Sequence, residues 1–396
     1  MELRPGYKQT GVGPIPTDWG LDFIDSVALI TTGSKNTQDR IEDGVYPFFV
    51  RSQKVERINS YSFDGEAVLT AGDGVGTGKV FHYIDGKFDV HQRVYRISNF
   101  SERIVGYFFY LYFSTHFYNR IMQMTAKSSV DSVRRDMIAR MLVPLPPTEA
   151  EQHAIAEALS DVDELLGGLD RLIVKKRDLK QAAMQQLLTG QTRLTGFNSE
   201  WKAQRLGECL LARPDYGINA PAVAYSDRLP SYIRITDISE HGRFRPMPHV
   251  SVAAVGADQY YLHDGDVVFA RTGASVGKSY LYDPSDGALV FAGFLIRVRP
   301  DPRILRSAFL SAYAHTEPYW NWVRLMSMRS GQPGINGNEF AQLPLSLPSM
   351  PEQTAIAAIL FDMDTELTAL EARRDKTRAL KQAMMQELLN GRTRLV

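Results

Sequence analysis

Two short loops end in Gly-Lys directly after an apolar strand, and they are the strongest chemistry-bearing pattern in the chain. The first is GDGVGTGK, Gly72 to Lys79, after AVLTA; the second is TGASVGK, Thr272 to Lys278, after VVFAR. A phosphate-cradling P-loop, G-x-x-x-x-G-K-[ST], needs a glycine five positions before the one preceding its lysine, but Asp73 and Thr272 stand there. Val80 follows Lys79, although Ser279 does follow Lys278. Neither loop meets the motif, which disfavours an NTPase. Two readings stay open: a structural turn that uses glycine for positive φ, or a loop that lets the backbone approach DNA while its lysine meets a phosphate or base. The candidate DNA contacts are Lys79 and Lys278 with the basic residues nearby, Arg51, Lys54, Arg93, Arg96, Arg234, Arg271 and Arg297.

Other chemistry is sparse. There is no Asn-Pro-Pro-Tyr or Asp-Pro-Pro-Tyr methyltransferase signature, no closely spaced Cys/His set and no His-Glu-x-x-His. His91 stands beside Gln92 and Arg93, and a lone histidine is more often structural than functional. No catalytic residue and no metal ligand is expected. The single Cys209 excludes an internal disulfide framework and fits a reducing cytoplasm. The opening MELRPGYKQTGVGP lacks a signal-peptide core, and no apolar run is long enough for a bilayer, so a cytoplasmic protein is expected. Formal net charge is +0, so a basic surface must come from how charge is distributed in space.

What positions these loops is a stretch that occurs twice. Thr148 to Leu194 and Ser349 to Leu395 align without a gap at an offset of about 201 residues, with roughly half the positions identical. Thr148 and Ser349 stand three residues before Glu151 and Glu352, the spacing of a capping box. Gly190 and Gly391 are placed to close each helix. Ile155, Leu159, Val162, Leu166, Leu169 and Ile173 step by four and three, as do Ile356, Leu360, Met363, Leu367 and Leu370, the pattern of a coiled coil. Leu179, Ala183 and Leu187, and Leu380, Met384 and Leu388, then step by four, which predicts a local change of supercoil. Each copy is acidic first and basic later, so antiparallel packing would bring opposite charges together.

The 396 residues and 44% hydrophobic content suit two to three domains with sizeable cores. The segments before each helix are also alike. Each has a Gly/Trp element (Gly11 to Trp19; Gly196 to Trp201), an aromatic strand (YPFFVRSQ from Tyr46; YIRITDIS from Tyr232) and a turn into an apolar strand ahead of its Gly-Lys loop. The expected fold is α+β: two duplicated α/β domains, 1–147 and 195–347, and two long helices, 148–194 and 348–396, forming an antiparallel coiled coil in a pseudo-twofold, nearly circular arrangement.

PLPPTEAEQHAIAEAL from Pro144 and LPSMPEQTAIAAIL from Leu347, running on to LLTGQTRL and LLNGRTRL, resemble the central and distal conserved regions of the specificity (S) subunits of type I restriction-modification enzymes. SGQPGIN, Ser330 to Asn336, resembles the end of a target recognition domain in that family. Glu149-Ala150-Glu151 departs from the usual proline-glutamate-glutamine, to which Met350-Pro351-Glu352 is closer. The resemblance covers essentially the whole chain. It implies a non-catalytic reader of a bipartite, asymmetric site in double-stranded DNA, with the helix pair setting the gap between half-sites. It further implies two methyltransferase (M) subunits carrying S-adenosylmethionine and restriction (R) subunits using ATP and Mg, with no cofactor in this chain. The expected subunit interface is Glu151, Gln152, Ile155 and Leu159 with Glu352, Gln353, Ile356 and Leu360. The rival is a coiled-coil adaptor that binds only proteins.

Overall fold

The computed structural model of the protein describes residues 3–124, 132–328 and 334–395. Contacts divide it into two compact units, residues 1–170 with 372–396, and residues 171–371. The two long helices run through this division, Glu149–Leu188 and Met350–Leu388, so each unit holds the start of one and the end of the other.

The first unit is built on a six-stranded sheet. Its strands are β1 (Leu29–Thr32), β2 (Tyr46–Phe49), β3 (Glu56–Ile58), β4 (Phe63–Ala71), β5 (Phe81–Val90) and β6 (Val94–Ser98), in the spatial order β1-β6-β4-β5-β2-β3. All pairs are antiparallel except β2 with β5. The aromatic run of the helix Gly106–Met124 explains its place: Phe108, Phe109, Phe113 and Phe117 are buried against Trp19, Ile155, Leu159 and Leu388. Each such buried ring contributes about 1.5–3 kcal/mol.

The second unit carries two four-stranded sheets. One has the order β7-β14-β11-β12: β7 (Asp215–Tyr216), β14 (Leu295–Val298), β11 (Val267–Ala270) and β12 (Ser279–Leu281). The other has the order β8-β10-β9-β13: β8 (Ala222–Ala224), β10 (Val250–Val252), β9 (Ser231–Ile233) and β13 (Leu289–Phe291). Its parallel pair, β9 with β13, joins the aromatic strand to the strand that follows the Gly-Lys hairpin; in the first unit the parallel pair β2 with β5 joins the aromatic strand to the hairpin's own second strand. The core beneath β11 gathers Phe269, Tyr319, Phe340, Met184, Leu188, Ile356 and Leu360.

The same wiring recurs in both units at the offset of the repeat. In the first, Arg394 Nη2 donates to Glu151 Oε2 at 2.8 Å, and the guanidinium lies 5.9 Å from the Trp19 ring. In the second, Arg193 donates to both oxygens of Glu352, at 2.6 and 2.7 Å, and lies 5.5 Å from the Trp201 ring. The neighbouring glutamines match too. Gln152 accepts from Val105 N at 2.7 Å and donates to Arg103 O at 2.9 Å; Gln353 accepts from Arg306 N at 2.9 Å and donates to Ile304 O at 2.9 Å.

These contacts correct two expectations. Glu151, Gln152, Ile155, Leu159, Glu352, Gln353, Ile356 and Leu360 are all buried within the chain, so none is presented at its surface as expected of a docking site. The sequence pattern that looked like an interface is an internal junction. The capping box of the first helix is also only half formed: Thr148 Oγ1 accepts from Glu151 N at 3.2 Å, while the carboxylate of Glu151, like that of Glu352, goes to an arginine.

The helix seam is corrected in its middle. Leu179 and Leu380 are exposed, and between the buried Ile173 and Met184 the seam is carried by the half-buried Lys176 and Lys180. Both lysines reach carboxylates on the other helix: Lys176 to Glu366 at 2.6 Å and Lys180 to Asp364 at 2.5 Å. In the first unit Lys381 meets Asp163 at 2.6 Å, the equivalent of the Lys180 pair one repeat away. Antiparallel pairing accounts for both sets, since the basic half of each helix lies along the acidic half of the other. Gly190 and Gly391 close the helices at φ 72° and 66°.

Candidate nucleic-acid interface

In the first unit the chain leaves β4 at Ala71, turns through Gly72 to Lys79 and enters β5. Gly74 and Gly78 have φ of 80° and 68°. A Cβ on Gly78 would lie 2.4 Å from Ile121, and one on Gly76 would lie 2.5 Å from Arg51 O, so glycine is needed for close packing as well as for backbone angle. Three N–H groups of the loop are turned inward. Thr77 N donates to Gly74 O, and Lys79 N and Val80 N to Gly76 O, at 2.9–3.0 Å. The second loop does the same through Val276 N to Gly273 O and Lys278 N to Ser275 O, with Tyr319 Oη donating to Gly277 O at 2.6 Å. These internal bonds, and the close packing at Gly76 and Gly78, favour the structural reading of the glycines. What remains for recognition is the side chains around them.

In the first unit those side chains converge on Asp73, the residue that spoils the P-loop motif. Arg51 Nη1 donates to its Oδ1 at 2.7 Å, and Arg93 Nη1 lies 3.5 Å from its Oδ2. Two guanidiniums on one carboxylate leave net positive charge at the rim. His91 is buried, and its Nδ1 accepts from Arg93 N at 2.9 Å, a neutral-ring role that fixes the Arg93 backbone. Burial, and secondarily Arg51, hold the His91 pKa below its ordinary value. Lys79 is exposed 5.5 Å from the Tyr118 ring, and Lys54 is exposed beside Glu56 at 3.6 Å. Arg96 is different: it lies 4.1 Å over the Phe63 ring, partly buried, and burial lowers its pKa.

In the second unit the candidates separate sharply. Arg297 is 2% exposed, donates to both Asp215 oxygens at 3.1 and 2.5 Å and lies 3.5 Å from Asp266. It cannot touch DNA, and that expectation is corrected: a buried arginine here neutralises two carboxylates. Burial leaves Asp266 with a raised pKa despite Arg297 and Arg299. Arg234 is folded onto the buried Asp237 by two bonds of 2.9 and 2.7 Å and onto Pro248 O, so its fork is occupied. Lys278 is paired with the exposed Glu240 at 2.6 Å. Arg271 is held without a carboxylate: Nε donates to Gly293 O at 3.1 Å, and the guanidinium lies 5.0 Å from the Tyr216 ring.

Sequence reasoning missed Asp73, Tyr216 and Phe294. Asp73 had a signal, a carboxylate inside a glycine-rich loop. Tyr216 had none, since it is 55 residues from the arginine it supports. Ser330 to Pro333 of the SGQPGIN motif lie outside the described residues; Asn336 Oδ1 caps a short helix by accepting from Glu339 N at 2.9 Å. Among the described residues no group of three His, Cys, Asp or Glu side chains could hold a metal, and no helix is long and apolar enough to cross a membrane.

Two units with one wiring scheme and paired Gly-Lys hairpins define a class of duplicated recognition proteins. The family model for the type I restriction modification DNA specificity domain matches residues 16–172 and again 227–378, and the chain belongs to that family. It is 22% identical over 374 residues to the type I restriction enzyme EcoDI specificity subunit of Escherichia coli, spanning 87% of this chain and 81% of that one. It is also 22% identical to the putative type I restriction enzyme MjaX specificity subunit of Methanocaldococcus jannaschii, over 98% and 97% of the two chains. Among solved structures, the S subunit of the M. genitalium type I restriction-modification system matches with a TM-score of 0.62 at 17% identity, over 98% of each chain, which shows a shared fold.

Proposed function

We propose that this chain is the DNA-specificity subunit of a type I restriction-modification complex, without catalysis of its own, and that each unit reads one half of a bipartite site. The observation that carries this reading is the duplicated family match, with the same hairpin and the same junction in each copy. Duplication of a reader produces two half-sites, and unlike side chains on like frames make the site asymmetric. The target recognition domains are assigned to residues 1–147 and 195–347, with 148–194 and 348–396 as the helical segments between them. Candidate contacts retained from the geometry are Arg51, Lys54, Lys79 and Arg93 in the first domain and Arg271 and Lys278 in the second. The partners are double-stranded DNA and the methyltransferase and restriction subunits. Two copies of the methyltransferase subunit match the two-fold repeat, and S-adenosylmethionine, ATP and Mg belong to those partners.

The test is to co-express the chain with its methyltransferase subunit and map modified adenines across the host genome. A single interrupted motif is expected. Exchanging residues 21–140 for those of a relative should change one half of that motif and leave the other intact. A map without any motif would leave only a protein-binding adaptor, and a change in both halves would end the modular assignment.

A further inference from the structure

The two domains put a guanidinium on the same rung of the same ladder, but from opposite strands. In the first, Gly72 N donates to Arg93 O at 2.8 Å, and Gly72 O accepts from Val133 N at 2.7 Å. In the second, Arg271 N donates to Phe294 O at 3.1 Å, and Arg271 O accepts from Ile335 N at 2.9 Å. Gly72 and Arg271 each follow the last residue of the strand before the Gly-Lys hairpin, and the next residues, Asp73 and Thr272, bridge to Ser132 and Gly334. The backbone is therefore the same, and the side chains are exchanged. A Cβ on Gly72 would lie 3.0 Å from Arg93 O and 3.1 Å from the Tyr95 ring, so a side chain in the place of Arg271 would be tightly packed in the first domain. Phe294, in the place of Arg93, is 55% exposed.

Both guanidiniums are oriented by the protein while keeping donors unused. Arg93 rests one Nη on Asp73, and its backbone is fixed by His91. Arg271 uses Nε alone, and the ring beneath it is anchored because Tyr216 Oη accepts from Gly337 N at 2.9 Å. Beside Arg271 is a hollow of about 280 Å³ lined by Thr272, Met326, Ile335, Asn336 and Glu339. Arg271 is its one cation and Glu339 its one carboxylate among the described residues, a poor setting for a phosphate and a suitable one for a neutral base edge carrying acceptors. A fork with two parallel N–H groups, fixed by stacking, matches the O6 and N7 acceptors of guanine in the major groove.

We propose that this rung is the base-reading position of each domain, with Arg271 reading a guanine in one half-site and Arg93 a guanine in the other. The proposal rests on the DNA-recognition reading above. It is tested on the full chain in complex with its methyltransferase subunit, using duplexes of the mapped motif with each base pair changed in turn. In the wild-type complex each half-site should contain a G·C pair whose replacement weakens binding about ten- to a hundred-fold. Arg271→Ala should bring that ratio close to one at a single position of one half-site, and Arg93→Ala at a single position of the other. Arg271→Lys keeps the charge but not the fork, so it should lose the discrimination while keeping the salt dependence of binding. The unaltered half-site in each variant reports that the molecule is folded. Uniform weakening on all duplexes with an unchanged motif, or a half-site without a G·C pair in the wild type, would overturn the assignment. A wild-type complex with no sequence preference would instead remove the recognition reading itself.

Discussion

Arg394 and Arg193 hold buried carboxylates, so each junction depends on a single arginine. Arg394→Ala leaves Glu151 charged and buried without a partner, a loss of about 3 kcal/mol, kept toward the lower end because the arginine is a third exposed. Glu151→Gln should cost less, since a neutral amide tolerates burial better; urea midpoints of the two variants compared with wild type check the order. His315 gives a pH dependence. Burial first, and then Lys180 and His241, push its pKa down to about 4 from 6.5. The ring is neutral in the folded protein, while the unfolded chain takes up a proton between those values. The stability is fully present above pH 6.5 and declines as pH falls through that window toward 4, by up to about 3 kcal/mol. His315→Gln should flatten that slope in urea titrations at about pH 7.5 and about pH 5. The reach of such residues explains what was hidden in the sequence. The glutamate-glutamine pair of each repeat was visible, but its use was misjudged because Arg394 lies 243 residues from Glu151. The recurrence of Arg in both TRL endings was the one clue that pointed there.

At the level of elements, the long helices were legible because a period of three and four, a cap signal and a closing glycine agree along each of them. Their middle was not, since Lys176 and Lys180 fill seam positions that a hydrophobic pattern assigns to leucine. Ion pairs there set register more than stability. Lys180→Asp should weaken the second unit, and adding Asp364→Lys should recover most of the loss. A coupling of about 0.5 kcal/mol is expected from a double-mutant cycle, and a cycle with no coupling would mean that the pair is incidental. The sheets were legible as strand and hairpin only. Which rung carries the guanidinium depends on a pairing between strands, and no single-strand pattern reports it.

For the whole molecule, the net charge of zero conceals local surplus: Arg51 and Arg93 share one carboxylate, and Arg271 has none. The proposed reader has a spacer that the helices should set. A heptad inserted after Leu169 together with one after Leu370 adds about 10 Å of helix while keeping the seam, so the unread gap should grow by about one to three base pairs with both half-sites unchanged. Methylation that keeps the original spacing would refute this. The repeat wiring has one more consequence, for inheritance. Lysine and aspartate, arginine and glutamate occur at the same offset in both copies, and each contact joins one copy to the other. Recombination within these segments therefore conserves these four ion pairs, and a gene built this way can exchange a globular domain by crossover while keeping the contacts that join its two helices.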